Sequence, residues 1–366
     1  MHAARWADRP GFDRGVSRRD PSFADRSRLL FTNLSTLPLD ELTLRLQPGA
    51  EPLPDRRRDL LGADAWRQPA VVTWRLAGEP AAAEHTVWLT FAVDEGRPLL
   101  AGTMDQPDGP PVPQPIWWTG PVTTGRDGAI TVLLGAGQPT RPWLRRSRAA
   151  VDAVREGLTS NAPGGWSGDL TVEVPASRRD FEAVLGADPG SYAAIAAVTL
   201  PEGPTTSAAL RVVVNPEVAR TLAPVGVAVV LTHETVHVAT RSADSPAPTW
   251  AVEGFADQVA LQAHPEAADG VAEPLLRQVR RSGPPPALPA DERFAAGEAE
   301  IAVTYAAAWS ACQYVADTYS PAALQRLYTA LDAGHPLDRA APDQLGVGVA
   351  ELTAGWQRHL RRLAGG

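Results

Sequence analysis

The consecutive segments PVGVAVVLTHETVHVAT (224–240), RSADSPAP (241–248) and TWAVEGFAD (249–257) decide how the chain around them is read. Pro224 suits the first turn of a helix, where its missing N–H would have no partner anyway. Val225 to Leu231 is apolar almost all round, which predicts a buried helix over 224–240. Pro246 and Pro248 interrupt the chain, and a second helix is expected over 250–263.

His233 and His237 stand four residues apart on the first helix. That spacing puts them on one face, with Cβ atoms roughly 5–6 Å apart. Two imidazoles so placed can reach one metal ion, and Glu234 can reach a water on that ion, the arrangement of zinc-dependent proteolysis. A buried imidazole needs a partner, and a metal supplies one. On the second helix Glu253 adds a carboxylate, completing a three-ligand site that leaves a fourth position for water. Asp257, four residues further on, is placed to accept the spare ring N–H of a ligand histidine. The bland alternative is a chance match in a core helix, and the ordered carboxylates downstream argue against it.

H-E-T-V-H followed by W-A-V-E-G-F-A-D resembles the gluzincin metallopeptidases, the group of thermolysin and aminopeptidase N. Their pattern is H-E-x-x-H with E-x-x-x-D on the next helix. The W-x-x-E-G-x-A-D wording is most similar to the bacterial peptidase MA-like proteins. The resemblance covers residues 166–330. It implies that His233, His237 and Glu253 bind Zn2+, that Glu234 is the general base and that Asp257 orients a histidine. It further implies a tyrosine or histidine that stabilises the developing oxyanion. Tyr305 is the candidate, ahead of Tyr314 and Tyr319, although a tyrosine on an apolar helix face is as often core. The aminopeptidase branch carries a G-x-M-E-N loop that reads the substrate amine. None occurs upstream of His233, a departure that speaks against aminopeptidase activity.

Length and composition fit this frame. A chain of 366 residues suggests two domains. The 35 prolines and 31 glycines exceed the usual combined share of about 12% and imply many turns. No lysine occurs; all 34 basic residues are arginine, which reads as coding bias. With a net charge of −8, general nucleic-acid binding is not expected. The single cysteine, Cys312, has no disulfide partner in the chain and reads as a small core residue. No run of 18 apolar residues appears, so no membrane insertion is expected. The start, MHAARWADRPGFDRGVSRRD, lacks the apolar core of a signal peptide. A soluble, cytoplasmic protein is therefore the default expectation. Because peptidase MA-like proteins are often exported or anchored, an extracytoplasmic protein with an upstream anchor is the alternative.

The expected fold class is α+β. A first domain over 1–140, flexible over 1–20, contains a helix near 20–40 and short alternating strands at 42–46, 70–76, 85–93, 98–103 and 129–134. One helix on a curved antiparallel sheet is similar to NTF2-like or cystatin-like domains, in pattern rather than by any motif. Trp74 and Trp88 are expected to face one core, and Asp94-Glu95-Gly96 to turn a hairpin. His85 reads as a packed or exposed residue, and Trp117-Trp118 as core or pocket lining.

The second domain, 141–366, is expected to be zincin-like with a mostly helical C-terminal lobe. A helix at 143–158 and a break at 161–166 precede a strand at 170–174, a helix at 177–185 capped by Ser177, and strands at 192–200 and 211–214. By the resemblance, this order matches the upper lobe of zincins. There an edge strand pairs with extended substrate, and Arg211-Val-Val-Val-Asn-Pro is the candidate edge. His264 ends the second motif helix and is not counted as a ligand. Helices follow at 268–281, 301–319, 324–331 and 349–363. The function expected is a zinc metallohydrolase, a peptidase acting on peptide or protein. A zinc-bearing scaffold without activity, or a non-peptide hydrolase, are the alternatives.

Overall fold

The structure, a computed structural model, describes residues 8–158, 165–204, 208–295 and 300–365. Part of the expected flexible start (1–7) and the expected break at 161–164 lie outside these residues. The protein is mixed α+β, as expected. It divides into two compact units, residues 1–145 with 169–221, and residues 146–168 with 222–366.

The first unit opens with α1 (Arg9–Asp13) and α2 (Pro21–Thr36), whose first turn Asp20 caps from the Ser22 N–H. Then come β1 (Leu39–Leu46), β2 (Glu51–Pro52), α3 (Asp55–Leu61), β3 (Trp66–Leu76), β4 (Ala83–Asp94), β5 (Arg97–Gly102) and the short α4 (Ile116–Thr119). Strands β6 (Val122–Asp127) and β7 (Ile130–Gly135) precede α5 (Thr140–Gly157), which runs from this unit into the other. The chain returns through β8 (Leu170–Val174), α6 (Arg178–Leu185), β9 (Ala197–Pro201), β10 (Leu210–Val214) and α7 (Pro216–Thr221).

Two sheets result. The first is antiparallel in the order β1-β3-β4-β5, with β2 also on β3. Its alternation is plain: Ala70, Val72, Trp74 and Leu76 are buried on β3, and Ala83, His85, Val87 and Leu89 face the same way from β4. Trp88 therefore points to the opposite face, under Arg67, and does not share the Trp74 core as expected. The turn at Glu95-Gly96 has φ 48° and 74°, the two positive values of a type I′ hairpin. Trp117 and Trp118 are core, Trp117 standing edge-on to Trp74 at 5.9 Å.

The second sheet is mixed, in the order β6-β7-β8-β10-β9. Here two expectations are corrected. Strand β10, the expected edge, pairs with β8 on one side and β9 on the other, and the edges are β9 and β6. Pairing in β9 begins only at Ala197, and Tyr192 packs on Phe181 instead. Because β6 and β7 build the other half of this sheet, residues 169–221 belong to the first unit.

A charged residue opening a strand suggests exposure, yet Arg211 is fully buried. Its guanidinium meets Glu173 at 2.9 Å, Glu79 at 3.0 Å and Glu202 at 3.5 Å, and lies 3.8 Å from the centre of the Trp74 ring. His85 Nε2 lies 2.8 Å from Glu202. Three carboxylates thus surround one guanidinium, and burial drives the Glu173 pKa up to about 8, helped by Glu202 and Glu79 and opposed by Arg211.

The second unit is helical. It holds α8 (Pro224–Thr240), α9 (Thr249–Ala263), α10 (Ala268–Ser282), α11 (Ile301–Tyr319), α12 (Pro321–Asp332), α13 (Leu337–Leu345) and α14 (Val349–Gly365). Phe255, Val236, Cys312, Tyr328 and Trp356 lie in one buried cluster. Gly254 lets α9 sit directly on α11: a Cβ there would lie 2.6 Å from the Ala308 carbonyl carbon and 2.9 Å from Cys312 Sγ. Among the described residues, no helix is long and apolar enough to cross a membrane.

Candidate metal centre

Helix α8 covers the expected range, but its first half is only half-buried; Val227, Leu231 and Thr232 are the buried residues before the motif. The apolar run therefore serves a partly exposed helix, and full burial begins at Leu231. The helix ends at Arg241, a non-glycine residue in the left-handed region at φ 52°, ψ 38°, whose N–H bonds back to the His237 and Val238 carbonyls. A 3-10 turn over Ser242–Asp244 follows. Helix α9 has no side-chain cap of its own; Asp291, from beyond a proline-rich loop, accepts the Thr249 N–H at 2.8 Å.

These two helices bring His233, His237 and Glu253 together, one ligand atom from each lying within 4.8 Å of the others. His233 Nε2 is 2.9 Å from His237 Nε2 and 3.1 Å from Glu253 Oε2, and His237 Nε2 is 3.6 Å from the same oxygen. Tetrahedral ligands at about 2.0–2.2 Å from a metal stand about 3.3–3.6 Å from one another; the His237–Glu253 side matches that span, and the two sides at His233 are shorter, at 2.9 and 3.1 Å.

Ring chemistry points the same way. Asp257 Oδ1 lies 2.7 Å from His233 Nδ1, and a carboxylate there fixes the proton on that nitrogen. On the other ring, Ser242 Oγ lies 2.7 Å from His237 Nδ1. With both Nδ1 atoms engaged, two Nε2 atoms and a carboxylate oxygen face one point. Three acceptors so placed would repel one another without a cation between them, whereas a protonated His233 ring would donate to Glu253. The donor set, two nitrogens and one oxygen, could hold a metal ion.

The electrostatics are strongly perturbed. Burial disfavours charge on His233, but Asp257 and Glu253 outweigh it and hold its pKa well above the ordinary value. Burial likewise opposes ionisation of Glu253, yet His237 and His233 keep its carboxyl well below the usual range. Glu234 is buried on the same helix, 8% exposed. Tyr305, near the start of α11, feels the Glu253, Asp257 and Glu234 carboxylates; burial first, and then those charges, push its phenol well above 10. Its ring is held edge-on by Phe294 at 5.3 Å.

The other expected residues sort cleanly. Tyr314 and Tyr319 pack on each other at 6.3 Å, and Tyr314 also against His359 of α14. At about 1.5 Å rise per residue, Tyr314 lies some 13 Å along α11 from Tyr305. His264 pairs with Thr232 at 3.3 Å and is not in the triad. Cys312 is buried in the core, its thiol pushed up by burial and then by Asp257. Ser242 and Asp291 were not anticipated. Each is a small polar residue opening a 3-10 turn, and only the turn at Arg241 and the return of the chain at 291 give them their partners.

No protein-family model matches this sequence, and no curated protein matches it either.

Proposed function

We propose that the chain is a zinc-dependent hydrolase of the gluzincin type, similar to the peptidase MA-like proteins, acting on peptides or proteins. One observation carries the reading: two imidazole nitrogens and a carboxylate oxygen converge beside a buried Glu234, with both outer ring nitrogens engaged. In this reading the helical unit is the core of a zincin-like domain, and the first sheet with α2 is an NTF2-like or cystatin-like module.

Zinc, when bound, lowers the pKa of its water to about 7 and polarises a carbonyl. Glu234 takes the proton released from the attacking water and hands it to the leaving amine. His233 and His237 hold their Nε2 lone pairs inward, and Asp257 keeps the first ring from turning. Tyr305 remains a neutral phenol at pH 7, since its pKa is raised, and donates a hydrogen bond to the developing oxyanion. An intact Glu234 beside the first histidine argues against a scaffold with no activity.

The test is Glu234→Gln, assayed on casein and mixed fluorogenic peptides with and without chelator. Wild type is expected to cleave, chelator to stop it, and the variant to retain metal but lose cleavage. Equal cleavage by variant and wild type refutes the assigned base.

A further inference from the structure

We propose that Ser242 is the positioning residue for His237, accepting its Nδ1–H so that the Nε2 lone pair is turned toward Glu253; this rests on the metal reading above. Ser242 Oγ is 2.7 Å from His237 Nδ1, and the residue is 9% exposed. Neutral imidazole carries one proton, and the partner of one nitrogen decides what the other offers. With the proton on Nδ1, His237 Nε2 is the lone-pair nitrogen that faces His233 Nε2 at 2.9 Å and Glu253 Oε2 at 3.6 Å.

The backbone supplies a second, independent observation. Ser242 is five residues after His237, past the end of α8, where a continuing helix would carry it away from that ring. Arg241 instead takes the left-handed conformation, which folds the chain back and begins the Ser242–Asp244 turn. A non-glycine residue there is strained. The cost is met in a turn that brings a hydroxyl onto the outer nitrogen of a triad histidine. Each triad imidazole thus has its own partner on the outer nitrogen. Asp257 comes from α9, and Ser242 from the turn that ends α8.

Two measurements test the assignment on the full chain. The first is zinc affinity by competition with a chromophoric chelator, on wild type, Ser242→Ala and Ser242→Thr. Loss of such an outer partner lowers metal affinity 10–100-fold, and that loss is expected for Ser242→Ala, with Ser242→Thr within about threefold of wild type. A Ser242→Ala affinity within twofold of wild type overturns the proposal. The second is long-range 1H–15N NMR on metal-free protein, which reads the tautomer of His237 whether or not the protein binds zinc. Wild type is expected to carry the proton on Nδ1, and Ser242→Ala to become mixed. An Nε2–H tautomer in wild type overturns the proposal. If wild type binds no zinc, the metal reading fails, and the tautomer alone decides the role of Ser242.

Discussion

Substituting Gly254 by alanine tests whether the seat of α9 on α11 sets the position of Glu253. The added Cβ would lie 2.6 Å from the Ala308 carbonyl carbon, about 0.8 Å short of the 3.4 Å at which ordinary contact begins, and closer still to the carbonyl oxygen. Both atoms are backbone in a 19-residue helix and do not turn aside, so α9 must lift. Overpacking of this kind costs 1–3 kcal/mol, and backbone opposition places Gly254→Ala near the upper end. Alanine returns about 1 kcal/mol of helix propensity. The net is about 2 kcal/mol of destabilisation, or about 4–8 °C in Tm for a unit of this size. A metal site tolerates about 0.2 Å in its ligand distances, and Glu253 is the adjacent residue, so zinc affinity is expected to fall at least tenfold. Gly270→Ala is the control. A Cβ at that position on α10 meets nothing within 4 Å, so the same substitution is expected to leave zinc affinity unchanged and Tm equal or slightly higher. Calorimetry and chelator competition on both variants check the argument. A Gly254→Ala protein with wild-type Tm and zinc affinity refutes it.

Other outcomes follow from the same structure. Glu173 has a folded pKa of about 8, raised above the unfolded value of about 4.3, so the stability it contributes is complete below about pH 4.3 and is lost as pH rises through 8. Denaturant melts of wild type are expected to weaken between pH 6 and 9, and Glu173→Gln, which has no proton to lose, to weaken less; parallel curves contradict the assignment. Tyr305→Phe is expected to retain zinc while kcat falls about 10²–10³-fold, the usual loss for an oxyanion donor. A kcat within threefold of wild type would return Tyr305 to the role of a packing residue beside Phe294.

Much of the site was readable because its geometry is local. His233 and His237 share a helix, and Glu253 and Asp257 share the next, so residue spacing places them. The first antiparallel sheet was readable from alternation on β3 and β4. What escaped depends on distant partners. Arg211 looked like an edge charge because Glu79, Glu173 and Glu202, which bury it, lie 132, 38 and 9 residues away. The second sheet escaped because β7 and β8 pair in parallel across the whole of α5, a non-local pairing that alternation within either strand does not announce. Ser242 escaped because its contact exists only through the left-handed Arg241.

The most direct test of the central claim is zinc content by elemental analysis of purified, dialysed wild type and His237→Ala. The account predicts about one zinc per wild-type chain, as a three-ligand site holds, and almost none in the variant. Wild type without zinc, or a variant that keeps as much zinc as wild type, would contradict it.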